Sequence, residues 1–162
     1  MIKKNLFSFL FIITIFLLDR LSKYLILLLS GGSEIFNIPI TFFLNFNLMW
    51  NDGIGFGLFP FEDGLYYKLL TFIIILITLI VFWLSLRSKG SEKLGFLMIT
   101  GGSLGNIFDR LYYSSVIDFI DININNFHWF IFNVADIFIT TGIICLISKE
   151  ILNNKEVKNE NN

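Results

Sequence analysis

Residues 66–86, "YYKLLTFIIILITLIVFWLSL", constrain the fold more than any other part of the chain, because nothing after Lys68 in them is charged. The hydrocarbon core of a bilayer is about 30 Å thick and takes roughly 20 apolar residues of helix. With one helix in lipid, the other apolar stretches read the same way. Leu6 to Leu29 is interrupted only by "DRLSK", 94–112 carries "TGGSLGNIFDR" in its second half, and 129–148 forms a fourth stretch. Composition agrees: 55% of residues are hydrophobic and the mean hydropathy is +0.73, against about 45–50% apolar in soluble domains. The expected fold is an all-α bundle of four transmembrane helices, with spans at about 6–29, 66–86, 94–112 and 129–148. They form one integral-membrane domain over 1–150, and the polar end "NNKEVKNENN" makes 151–162 a disordered cytoplasmic tail.

Basic residues in short loops set the orientation. Lys3 and Lys4 precede the first span, Arg87, Lys89 and Lys93 separate the second from the third, and Lys149, Lys155 and Lys158 follow the fourth. The connections 31–65 and 113–128 hold Glu34, Asp52, Glu62, Asp63, Asp118 and Asp121 with no Lys or Arg. Both termini are therefore expected in the cytoplasm and both acidic connections outside. No small-x-small cleavage site follows the first apolar run, so it is read as a retained helix and not a signal peptide. The 31–65 connection, with "FNIPITFFLNFNLMWNDGIGFGLF", is rich in β-forming residues broken by Gly53, Gly55 and Gly57. It is expected to form a small β-rich loop domain on the outer surface.

Several classes of function are excluded early. A net charge of −1 offers no basic stripe for nucleic acid. Cys145 and His128 are each the only one of their kind, which excludes intramolecular disulfides and multi-cysteine metal sites and argues against a histidine–cysteine zinc enzyme. "GGSLG" has the letters of a nucleophile elbow but lies inside an apolar helical run. Ser22 and Lys23, adjacent on a helix, diverge by about 100° and form no dyad.

Ionisable groups inside spans mark sites. Asp19 and Lys23, four apart on one helical face, are expected to form a structural ion pair. Asn106, Asp109 and Arg110 share a face near the outer end of the third span, and Gly101 and Gly105 let another helix approach. Asn133 and Asp136 are three apart in the fourth span, with Asp136 roughly 10 Å below its outer boundary. All these groups lie toward one side. A pore or a proton- or cation-binding transporter subunit, the alternative reading, needs polar groups along a path across the bilayer; a one-sided cluster suits an embedded enzyme. Two aspartates held close cannot both ionise cheaply, so one keeps a proton and the pair can activate water against a carbonyl. Asp136 is deep enough for this. Asp109, Asp118 and Asp121 all qualify as its partner by location, and Asp109, with Arg110 beside it, is expected to stay ionised in a charge network.

These blocks together resemble the bacterial lipoprotein signal peptidases (signal peptidase II). Asp19 and Lys23 match a D-x-x-x-K block, "NDGIGFGLF" resembles N-x-G-x-x-F, and "GGSLGNIFDR" matches G-G-x-x-G-N-x-x-D-R. "VIDFID" and "FNVAD" match V-x-D-F and F-N-x-A-D. The sequence departs from the usual pattern at Arg20 and at Ile54 and Gly55. The resemblance implies an aspartic endopeptidase with Asp118 and Asp136 as its catalytic dyad, leaving Asp121 a solvated neighbour. It implies that Asn51, Asn106, Arg110 and Asn133 line the site, supported by Gly53, Phe56, Asp109, Val116 and the only alanine, Ala135. It further implies a multi-pass enzyme of the bacterial cytoplasmic membrane, sufficient as a monomer and surrounded by membrane lipids. Its substrates are diacylglyceryl-modified prolipoproteins cut before the lipidated cysteine, with no metal or organic cofactor.

Overall fold

The computed structural model describes residues 2–33, 36–53, 64–124 and 127–160. Four helices and four strands follow in the order α1 (Ile2–Ser30), β1 (Asn37–Pro39), β2 (Leu44–Asn51), α2 (Gly64–Arg87), α3 (Gly90–Tyr113), β3 (Val116–Ile124), β4 (Phe127–Phe132) and α4 (Val134–Glu160). α3 is the hub and packs against α1, α2 and α4.

Glycine sets how closely α3 meets its neighbours. A Cβ on Gly101 would lie 2.9 Å from Ile15 of α1, and one on Gly102 would lie 2.5 Å from the Ala135 carbonyl oxygen of α4. One on Gly105 would lie 2.5 Å from Asp19 Oδ2. Gly101 and Gly105 therefore serve one partner, α1, as a small-residue pair on one face suggests, and Gly105 also lets Ala135 of α4 approach. Gly102, on the neighbouring face, seats α4 against α3. Further along, Gly95 and Gly142 cross backbone to backbone.

α2 is built inside out. Its buried residues include Tyr67, Thr71, Thr78 and Ser85, while Leu69, Phe72, Ile73, Leu76, Ile77, Leu79, Ile80 and Trp83 are exposed. The inward hydroxyls of Thr71 and Thr78 donate to carbonyls one turn back, at 2.9 and 2.8 Å. Such a distribution has no counterpart in a water-soluble helix, whose apolar stripe faces the core. Among the described helices, α2 alone is long and apolar enough to cross a bilayer on its own. α1 and α3 owe their lower apolarity to charges they bury between them.

The strands correct the expected loop domain. Residues 36–53 do not form a sheet of their own. β1 and β2 continue into β3 and β4 in one antiparallel sheet of order β1-β2-β3-β4, so both acidic connections contribute. "VIDFIDINI" carries the β-branched alternation of a strand. The fourth span is also corrected. Residues 129–132 belong to β4, and helix begins only at Val134, where Asn133 caps it. At its other end α4 continues to Glu160, so the backbone is helical through most of the stretch expected as a disordered tail. Its Glu and Lys residues are good helix formers. Beneath the sheet, Ile117 and Phe119 pack with Ile26, Phe36 and Leu48.

Candidate active site

The site forms where the start of α4 meets α1, α3 and the sheet. Asn133, the N-cap of α4, accepts a hydrogen bond on Oδ1 from the Asp136 amide at 3.0 Å. Asp136 Oδ2 accepts one from the Asn133 amide at 3.2 Å. This is a capping box with Asn and Asp in its two roles, and it pins the Asp136 carboxylate beside the helix N-terminus. The Ala135 amide donates to Asp19 Oδ1 of α1 at 3.0 Å, and Ala135 is fully buried against Gly102 and Gly105. A larger side chain has no room there.

Asn133 also joins two carboxylates. Its Nδ2 donates to Asp118 Oδ1 at 2.6 Å, while Asn51 Nδ2 donates to Asp118 Oδ2 at 2.8 Å. Asn106 Nδ2 donates to Asp136 Oδ1 at 2.8 Å. Asp118 and Asp136 thus stand on either side of one asparagine, each held by further amide donors. Asp118 is 1% exposed, and burial first, then the negative charge of Asp136, pushes its pKa from the ordinary 3.8 to about 7. It holds a proton close to neutrality. Asp136 is partly exposed and opens into a cavity of about 350 Å³.

Strand geometry separates the two aspartates of "VIDFID". The bulge in the β2–β3 ladder falls in β2, between Phe46 and Met49, so β3 is regular from Val116 to Asp121. Residues three apart on a strand point to opposite faces. Asp118 shares its face with buried Val116, and Asp121 shares its face with Ile117 and Phe119. Asp121 is nevertheless fully buried, which overturns its expected place as a solvated neighbour. It sits opposite Asn45 and Ile131 in the sheet and not on the Asn133 side.

A charge network lies behind the pair. Lys23 Nζ is 2.6 Å from Asp109 Oδ2 and 3.0 Å from Asp19 Oδ2, so the Asp19–Lys23 pair is part of something larger. Arg20 closes it, reaching Asp19 and Asp109 at 2.5 Å each with its guanidinium 4.8 Å from the Phe108 ring centroid. Two carboxylates face two cations, and the set is neutral. Lys23 also donates to Asn106 Oδ1 at 3.0 Å, which fixes the Asn106 amide so that its NH2 faces Asp136. Asp109 further accepts from the Ile117 amide at 3.3 Å, tying β3 to the network.

Other expected residues take supporting places. Arg110 is not the partner of Asp109 that its position suggests, since Lys23 and Arg20 take that place; its Nη2 donates to the Gly53 carbonyl at 2.8 Å and its guanidinium lies over Tyr67, 5.2 Å from the ring centroid. The Gly53 amide donates to Asn51 Oδ1 at 3.0 Å, which turns the Asn51 amide nitrogen toward Asp118. Val116 is buried opposite Asn51. Phe56 lies outside the described residues. Arg20 and Gly102 escaped the sequence reading as site-building residues, although a second cation in "DRLSK" was a visible sign of a second carboxylate to neutralise. Among the described residues, no group of three His, Cys, Asp or Glu side chains is placed to hold a metal ion.

Comparison with known proteins gives a consistent picture. The sequence profile described as "Signal peptidase (SPase) II" matches residues 11–152. The chain is 43% identical over 151 residues to a lipoprotein signal peptidase of Pelagibacter ubique (strain HTCC1062), covering 93% of this chain and 91% of that protein. It is 44% identical over 142 residues to the lipoprotein signal peptidase of Wigglesworthia glossinidia brevipalpis, covering 86% and 91%. Two solved structures described as bacterial membrane enzymes share the fold. One has a TM-score of 0.75 at 24% identity, over 92% of this chain and 90% of that one. The other has a TM-score of 0.71 at 26% identity, over 88% and 90%.

Proposed function

The chain belongs to the signal peptidase II family, proteases that process prolipoproteins, and from that premise we propose that Asp118 and Asp136 are the aspartic dyad that cuts the bond before the lipidated cysteine. The observation that carries the proposal is the pair of carboxylates flanking Asn133, one buried and protonated near neutrality, the other opening into a cavity. Asp136 takes a proton from water as the water oxygen attacks the scissile carbonyl carbon. Asp118 gives its proton to the carbonyl oxygen. The tetrahedral diol then collapses, the carbon–nitrogen bond breaks, the proton held by Asp136 passes to the departing cysteine nitrogen, and Asp118 takes back a proton from one of the diol's hydroxyls. The signal peptide leaves with a new carboxyl group, and both carboxyls return to their starting states.

The membrane reading fits this chemistry. Four spans with both termini inside put the sheet and the dyad at the outer boundary, where a diacylglyceryl group anchors the precursor's cysteine. The exposed apolar face of α2 and the matching exposed residues Leu17, Leu21, Leu25 and Leu28 of α1 face the lipid. One chain contains the whole site, so a monomer suffices.

The test incubates purified protein in detergent with a precursor bearing the diacylglyceryl group and with its unmodified twin. Only the modified precursor is cut, and the new amino terminus is the lipidated cysteine; cleavage of both alike, or of neither, contradicts the proposal. The rate should also depend on pH in a defined sense. Asp118 carries the acid proton below about 7 and loses it above, so kcat/KM falls as pH rises through about 7. A rate that keeps rising past pH 8 contradicts Asp118 as the acid.

A further inference from the structure

Asp136 lines a cavity of about 350 Å³ between the sheet and α4. Its walls are Ile122, Phe130 and Phe132 above, with Ile137, Thr140 and Thr141 below Asp136. Residues 136, 137, 140 and 141 form one stripe of α4, and Ile122 continues the strand face that carries Asp118. Asp118 is almost fully buried, so this opening is the approach to the dyad. It is apolar except for Asp136 and the two threonines.

Those threonines differ from the others in the helices. Thr14, Thr71, Thr78 and Thr100 each donate to the carbonyl four residues back, at 2.9, 2.9, 2.8 and 2.8 Å. That is how a hydroxyl is satisfied where no water reaches it. Thr140 and Thr141 are exposed on the groove, and among the described residues neither hydroxyl has a hydrogen-bond partner. Two free donors in an apolar groove beside a protease dyad call for acceptor oxygens on an otherwise apolar ligand.

We propose that this groove is the subsite for the ester-bearing part of the substrate's diacylglyceryl group, and that the Thr140 and Thr141 hydroxyls donate to its ester carbonyl oxygens. The inference rests on the peptidase reading above and adds to it the residues that recognise the lipid. The lengths agree. Thr140 and Thr141 lie four and five residues beyond Asp136, about 6–7.5 Å along the helix. From the scissile carbonyl carbon, through the cysteine and its thioether, to the nearer ester carbonyl is about eight bonds, on the order of 8–10 Å extended. The acyl chain then continues past exposed Ile144 of α4 toward the bilayer interior.

The test compares two lipidated precursors, one with diacyl (ester) and one with dialkyl (ether) glyceryl groups, which differ only in the carbonyl oxygens. Wild type should cut the ester form better by about 3- to 10-fold per hydroxyl engaged, chiefly through KM. The Thr140→Val, Thr141→Val double variant, which keeps side-chain shape, should cut both forms at the wild-type ether rate, and the Thr→Ser pair should restore the ester preference. Unchanged cleavage of the ether form shows that the valine variant is folded. No ester preference in wild type, or the same preference in the valine variant, overturns the proposal. Failure of the peptidase reading looks different: wild type then leaves both precursors intact, or Asp118→Asn still cuts them.

Discussion

Replacing Asp118 or Asp136 with asparagine should lower kcat for the lipidated precursor by at least about 10³-fold while leaving precursor binding within a few-fold of wild type. Asparagine keeps the shape and can still meet the surrounding amides, but it can neither take a proton from water nor hold one for the carbonyl. Asp118→Asn carries a second expectation of opposite sign. Folding raises the pKa of Asp118 from 3.8 to about 7, so the folded state binds more protons than the unfolded state between those values. Stability contributed by this group is therefore intact below about 4, falls as pH rises toward about 7, and stays low above it. Removing the ionisable group removes that penalty, on the order of a few kcal/mol. The inactive Asp118→Asn protein should melt higher than wild type at pH 8 and no higher at pH 4. This is the usual exchange of stability for a strained, functional charge. A variant with lower melting temperature at pH 8 contradicts the burial argument.

Lys23→Met should be the most damaging change away from the dyad. Lys23 is 1% exposed and lies between Asp19 and Asp109, both fully buried. Taking one partner out of a buried ion pair costs about 3–5 kcal/mol, because the charge left behind is unpaired. Here one cation, Arg20, would remain for two carboxylates. The loss reaches the dyad as well. Without Lys23, Asn106 Oδ1 loses its cationic donor and keeps only the 3.2 Å bond from Asn133 Nδ2, the Asn106 amide is held less firmly toward Asp136, and kcat should fall by up to about 10²-fold. Adding Asp109→Asn restores the charge balance, so the double variant should recover melting temperature while activity stays low. Lys23→Met and the double variant melting alike would contradict the neutral four-charge network. Arg20→Gln should be milder, since Arg20 is 16% exposed and water can partly replace it.

Much of this site was legible in the sequence. Charges and amides stranded in apolar runs are conspicuous, and Asp19, Lys23, Asn106, Asp109, Asn133 and Asp136 converge as their positions suggested, whereas Arg110 turns instead to Gly53 and Tyr67. The choice between Asp118 and Asp121 was not available from the residues alone, because location served both. It became physical once residues 116–124 proved to be a strand, since a spacing of three then sends the two side chains to opposite faces. The β-branched alternation of "VIDFIDINI" was the signal, hidden by reading this connection as a loop between helices. The start of α4 was misplaced for a related reason: "WFIF" is as apolar as a span, and hydropathy does not distinguish a strand on the membrane from a helix in it. Arg20 was hidden because its partner Asp109 lies far away in sequence.

The pairing of Asp118, and not Asp121, with Asp136 is tested most directly by a side-by-side single-turnover assay of Asp118→Asn and Asp121→Asn on the diacylglyceryl-modified precursor in detergent. Asp121 is buried, so its variant should lose melting temperature, yet it should cut the precursor within about tenfold of the wild-type rate, because it faces away from Asn133. Asp118→Asn should show no cleavage on the same timescale. Cleavage by Asp118→Asn, or an Asp121→Asn protein that is folded and equally inactive, would contradict the account.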